Sequence, residues 1–177
     1  CRFFVLFQNA LQQFFSFDSV EQEPLAKLSY DEEVEIKNKA FALFCKENHF
    51  GIKPESIVKS PKERRYRTTS KRRVSVLSGK VQISPQESEL EPEEHLICYQ
   101  WILNKLNTPS FRLLARSLNW IIIRGSYLYR TVIFNVDHLD ANVVRKLKQM
   151  AKALQESSLK VTAAHVYVDP SRSDYYL

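Results

Sequence analysis

The sequence predicts an α+β fold, a small and mostly antiparallel sheet with helices packed on one face. Three observations lead there. Residues 119–168 run strand, strand, helix, strand, an order that makes a layered sheet. Residues 66–83 read as a hairpin, with strand-favouring Tyr, Thr and Val leading to a Ser78-Gly79 turn. The first fifty residues carry only helical periods. Composition changes sharply at Ile57, so the reading divides the chain into a helical segment, 1–56, and an α/β domain, 57–177.

The elements follow in order. Residues 3–15 place Phe3, Phe7, Leu11 and Phe14 or Phe15 on one helical face, which needs a partner to pack against. Ser29 and Glu32 form a capping box. Asp31, Glu32 and Glu33 load the first turn of that second helix with the charge its dipole favours. Val34, Phe41, Phe44 and Cys45 give it an apolar side, and Gly51 reads as its stop. A strand over 66–77 and KVQI at 80–83 make the hairpin, followed by the acidic, Pro-punctuated SPQESELEPEE. That loop is read as solvated, or as folded back on the basic stretch when that stretch has no ligand. Glu93 or Glu94 opens a helix whose expected buried stripe is Leu96, Ile97, Trp101, Ile102 and Leu106. A short helix over 110–117 precedes strands at 119–123 and 127–136, joined by a turn at Arg124-Gly125-Ser126. Asp140 caps a helix carrying Val144, Leu147, Ala151 and Leu154, and VTAAHVYV (161–168) closes the pattern.

Composition narrows function. Three glycines in 177 residues, with no G-x-G-x-x-G or P-loop string, argue against a phosphate-cradling nucleotide site. Cys1, Cys45 and Cys98 are scattered and form no C-x-x-C, so they read as thiols in a reducing compartment. His49, His95, His138 and His165 show no ligand spacing and read as core or surface histidines. The greasy N-terminus is too short and too polar-interrupted to span a membrane, and it lacks a signal peptide's cleavage site. The expectation is a soluble, cytoplasmic protein with no membrane partner. A net charge of +6 favours a polyanion such as RNA.

That charge is concentrated. Between 59 and 73 eight cations face one acid, Glu63. Lys62, Arg64, Arg65, Tyr66, Arg67, Lys71, Arg72 and Arg73 are the candidate RNA-binding residues: the cations for phosphates, Tyr66 for stacking on an exposed base. In an extended chain Arg65, Arg67 and Thr69 share one face while Tyr66 and Thr68 share the other. Arg112, Arg116, Arg124 and Arg130 form a looser second set, most of them read as ordinary surface residues.

Three strings resemble the S-adenosylmethionine-dependent tRNA/rRNA uracil-5-methyltransferases. LSYDEEVEIKNKAFALF (28–44) is similar to that family's Leu-Ser-Tyr and Lys-bearing helix. SPKERRYRTTSKRRVSV (60–76) resembles its Ser-Pro and Tyr-Arg-Asn-Lys strand, and 119–168 stands where its central RNA-binding domain does. The likeness covers about 28–170. It implies that Tyr66, Arg67, Lys71 and Arg72 lie in a strand facing substrate RNA, either tRNA or rRNA.

The departures matter as much. EQEPLAK precedes Leu28 where many family members carry Cys-Gly-Gly-Cys, and Cys98 alone cannot hold a cluster, so no iron–sulfur cluster is expected. Asp169-Pro170-Ser171-Arg172 echoes the family's Asp-Pro-Pro-Arg loop, but it follows the central block directly and reads as a strand-to-turn exit. In the family a cysteine adds to C6 of uracil and C5 takes the methyl group from S-adenosylmethionine. No cofactor loop or nucleophile of that kind is present here. The expectation is therefore a non-catalytic, RNA-recognising portion, a fragment or a reduced relative, with no catalytic residue, cofactor or metal of its own. The alternative is a protein-interaction or dimerisation module, motivated by the Phe-rich start and the acidic loop.

Overall fold

A computed structural model describes residues 2–18, 23–84, 88–125 and 128–173. The chain divides into two compact units, Cys1–Arg64 with Ser88–Leu90, and Arg65–Glu87 with Glu91–Leu177.

In the first unit helix α1 (Arg2–Gln12) packs against α2 (Tyr30–Glu47), with a 3-10 turn at Pro24–Lys27 between them in sequence. One cluster joins Ala10 to Phe44 and Cys45, the other Leu11 to Leu25 and Ala40. Phe7 meets Phe44 edge-on at 5.9 Å between centroids. α1 ends at Gln12, so Phe14 is 41% exposed, while Phe15 turns onto the second cluster. The side chain of Phe3 lies outside the described residues. The capping box at Ser29 is formed: Glu32 N donates to Ser29 Oγ (3.3 Å) and Ser29 N to Glu32 Oε2 (3.1 Å). Phe41, expected inside, is 40% exposed, because the buried stripe of α2 runs through its neighbour Ala40 instead. The helix stops at Asn48, and His49 rather than Gly51 takes the first left-handed conformation (φ 54°).

The segment 57–64, placed in the second domain on composition, belongs to this unit. Ile57 N donates to Asn38 Oδ1 (2.8 Å) and Ser60 N to Tyr30 Oη (2.8 Å). These bonds tie an otherwise irregular strip to α2 through its own backbone donors.

The second unit is the α+β layer. Strands β1 (Thr69–Leu77), β2 (Lys80–Ile83), β3 (Leu118–Gly125), β4 (Arg130–Val136) and β5 (Val161–Val168) form one sheet in the order β2-β1-β3-β4-β5. Every pairing is antiparallel except β4–β5, which α5 (Ala141–Gln155) connects as a βαβ crossover. Ser78 and Gly79 both take positive φ (49° and 77°), the turn that suits the twist of a two-residue hairpin. At the β3–β4 connection Gly125 has no substitute, since a Cβ there would sit 2.2 Å from Tyr129 O. The rest of that turn, Ser126 and Tyr127, lies outside the described residues.

Helices α3 (Glu93–Leu106), α4 (Arg112–Ser117) and α5 share a core with one face of the sheet: Ile102, Leu106, Leu114, Met150 and Leu154 against Ile121, Ile123, Val132 and Phe134. Phase is where α3 departs from expectation. Leu96 and Ile97 are exposed, and the inward stripe is His95, Cys98, Tyr99, Ile102 and Leu106. Polar partners on β1 hold His95 and Tyr99 inside, and hydrophobicity alone carries no record of them. Asp140 caps α5 as expected, its carboxylate accepting from Val143 N at 2.7 Å.

Candidate nucleic-acid interface

The strand expected from Tyr66 begins at Thr69. Arg65 takes a left-handed backbone (φ 57°) that a strand cannot continue through, so the two-faced alternation expected over 65–68 does not form. Only from Thr69 onward does strand geometry sort the basic run into two faces.

The eight candidates therefore meet different fates. In the first unit Lys62 is exposed, while Arg64 is structural. Its guanidinium donates to Ala26 O (3.2 Å) and Leu28 O (2.8 Å) and pairs with the buried Glu33 at 2.7 Å. In the second unit Arg65 pairs with Glu93 at 2.9 Å, Tyr66 is 47% exposed, and Arg67 is half-buried.

Arg72 points into the core. It is 2% exposed, makes two bonds to the Glu91 carboxylate (3.0 and 2.5 Å), and lies 5.0 Å from the Tyr99 ring centroid. The forked pairing suits a buried arginine, whose charge would otherwise be costly to desolvate. Beside it, Ser70 Oγ contacts His95 Nδ1 (2.9 Å) and Tyr99 Oη (3.2 Å). Burial, with Arg130 and Arg72 nearby, pushes the His95 imidazole down to about 4, so it sits neutral in the core. Burial also pushes the Tyr99 hydroxyl up, although Ser70 and Arg72 act against it. Arg130, from the looser basic set, is buried too and donates to Leu159 O at 2.6 Å. The acidic loop thus returns two carboxylates, Glu91 and Glu93, to the basic run.

Lys71 and Arg73 stand on the opposite face. Arg73 lies directly across from Trp120 and Lys71 across from Ile122. The Lys71 ammonium sits 4.5 Å from the Trp120 ring centroid and the Arg73 guanidinium 5.8 Å, both within cation–π range. The register continues that row across the sheet, Arg73–Trp120–Asn135–Tyr167, with Lys71–Ile122–Ile133–His165 two residues along the strands and Thr69–Arg124–Thr131–Ala163 four. Arg73 and Arg124 are exposed and Trp120 is half-buried. The indole is held in place, Nε1 donating to Ser173 O at 3.2 Å. Trp120 is the residue that composition and motif missed. Its signal was the alternation Trp120, Ile122, Arg124, hidden inside a strand that looks uniformly apolar.

The Asp169-Pro170-Ser171-Arg172 turn is closed on itself. The Asp169 carboxylate accepts from Ser171 N (3.2 Å), Ser171 Oγ (2.5 Å), Ser173 N (3.0 Å) and Ser173 Oγ (2.9 Å). The Ser171 side chain leads these bonds in lowering the Asp169 pKa. Arg172 pairs with Asp137. Every one of these carboxylate contacts serves the turn itself, as a strand exit requires. Among the described residues no group of three or more His, Cys, Asp or Glu could hold a metal, and no helix is long and apolar enough to cross a membrane.

Compared with known proteins, the chain matches no family model and no curated protein sequence.

Proposed function

We propose that this chain is an RNA-binding module that grips tRNA or rRNA, with methyl transfer performed by a separate S-adenosylmethionine-binding domain. One observation carries the reading: Lys71 and Arg73, from the densest basic run, flank Trp120 on a single sheet face. Cations there supply attraction to phosphates and the indole supplies a surface for a base, the pairing that RNA-binding sheets use. The likeness of 60–76 to a uracil-5-methyltransferase strand supports RNA over other polyanions. The module binds and orients, and makes no bond itself.

The test is binding to a folded RNA hairpin at two salt concentrations, with a matched DNA duplex alongside. Tight, salt-steep binding that prefers RNA, lost in the Lys71→Glu/Arg73→Glu variant, is the expected result. Unchanged affinity in that variant, or no binding at low salt, overturns the reading.

A second reading, a protein-interaction module, has its own observation. Strand β5 is a sheet edge exposing Val166, Tyr167 and Val168, and it borders an apolar groove of about 270 Å³ lined by Leu139, Val144, Leu147 and Ala164. Unguarded edges of this kind accept added strands. A strictly monomeric chain in light scattering at high concentration would count against self-pairing there.

A further inference from the structure

We infer that the sheet face around Trp120 takes unpaired nucleotides, so that the ligand is single-stranded RNA or an RNA loop rather than a duplex. The inference rests on the RNA-binding reading and specifies its substrate. A duplex turns phosphates outward and keeps its bases stacked inside, where an indole half-sunk in a flat sheet cannot reach their faces. An unpaired nucleotide presents both a phosphate and a free π-face.

The geometry matches the second kind of ligand. Lys71 and Arg73 occupy alternate positions of one strand, about 6.6 Å apart along it, and both heads lie within 6 Å of the Trp120 ring centroid. A phosphate on either cation therefore lies close to a base resting on the indole. The platform is pre-set, because Ser173 O holds the ring and β3 is an inner strand. Little ordering cost remains at binding.

Asn135 lies beneath the platform and offers a ligand no contact. It lies between Trp120 and Tyr167 in the cross-sheet row and is fully buried. Asn119 Nδ2 donates to its Oδ1 at 2.9 Å, which fixes the amide, and its own Nδ2 has no acceptor among the described residues. Tyr167, 37% exposed, extends the row as a second aromatic.

The experiment compares a short single-stranded oligouridylate with a blunt RNA duplex of equal length, followed by tryptophan fluorescence and anisotropy. The chain has two tryptophans, Trp101 and Trp120, so a signal that vanishes in Trp120→Phe belongs to Trp120. The single strand is expected to quench and the duplex not to. Trp120→Ala is expected to weaken single-strand binding roughly 5- to 150-fold at an unchanged salt slope, with Trp120→Phe keeping most of the affinity. Equal affinity for duplex and single strand, or no quenching in the wild type, overturns the inference and leaves RNA binding standing. Wild-type affinity in a folded Trp120→Ala does the same. If neither RNA binds, the broader reading falls with it. Should Trp120→Ala fail to fold, the wild-type and Trp120→Phe titrations still decide.

Discussion

Arg72 and Arg73 are consecutive residues of one strand, yet they belong to different parts of the protein's physics. Arg72 lies under the sheet with Glu91 and Tyr99, part of a polar layer that includes Ser70 and His95. Arg73 lies on the far face beside Trp120, exposed, with Lys71 on the same side. A run of like charges is therefore not one feature. The two-residue repeat of a strand divides it into a stabilising half and a half turned toward a ligand. The structural half should govern folding and the other half binding, and four measurements can separate them.

The largest effect belongs to the buried pair. Arg72→Ala leaves the Glu91 carboxylate uncompensated in the core and should cost about 3–5 kcal/mol in urea unfolding. Replacing both, as Arg72→Met with Glu91→Leu, should recover most of that loss. A single variant as stable as wild type would mean the pair contributes nothing to the fold.

Next comes pH, acting through His95. Its folded pKa of about 4 lies below the ordinary 6.5, so the unfolded chain binds the extra proton first. Its contribution is fully present above pH 6.5 and drains away as pH falls toward 4, by roughly 3 kcal/mol across the window. The lowered carboxyls Asp137 and Asp169 act chiefly below that window, while Glu32, lowered by its bonds to Ser29, drains stability at the window's acid end. His95→Gln should flatten unfolding free energies measured between pH 7 and 4.5. An equally steep variant would assign the slope to another group.

On the far face the signs reverse. Lys71→Ala and Arg73→Ala should each weaken RNA binding roughly tenfold and reduce the magnitude of the salt slope by roughly 0.7–0.9. Stability should stay within about 0.5 kcal/mol of wild type. If either substitution destabilises the chain as Arg72→Ala does, the division between the two faces is wrong. The smallest effect is at Arg65–Glu93, an exposed pair whose removal by Glu93→Ala should change stability by no more than about 0.5 kcal/mol.

Local chemistry was the legible part of the sequence. The capping box at Ser29, the Ser78-Gly79 turn and the Asp140 cap each depend on residues within four positions of one another, and each forms as read. Layering followed from the alternation of periods over 119–168. What could not be read depended on distant partners. Arg72 is buried because Glu91, nineteen positions on, folds in with it. α3 rotates its apolar Leu96 and Ile97 outward because His95 and Tyr99 meet Ser70 across twenty-five and twenty-nine positions. Trp120 joins Lys71 and Arg73 only through the β1–β3 register. Charge and hydropathy place residues inside or outside on average, whereas a partner distant in sequence decided each of these.

The close approach at Gly125 bears on how this sequence can drift. Tyr129 O stands where any Cβ at position 125 would go, and the obstruction is main chain, which no rotamer change on a neighbour can move. Lys71 and Arg73 should be able to exchange their chemistry for one another or lose it without unfolding the chain. Codon 125 has no such latitude, so distant descendants should keep that glycine after the basic strand itself has become unrecognisable.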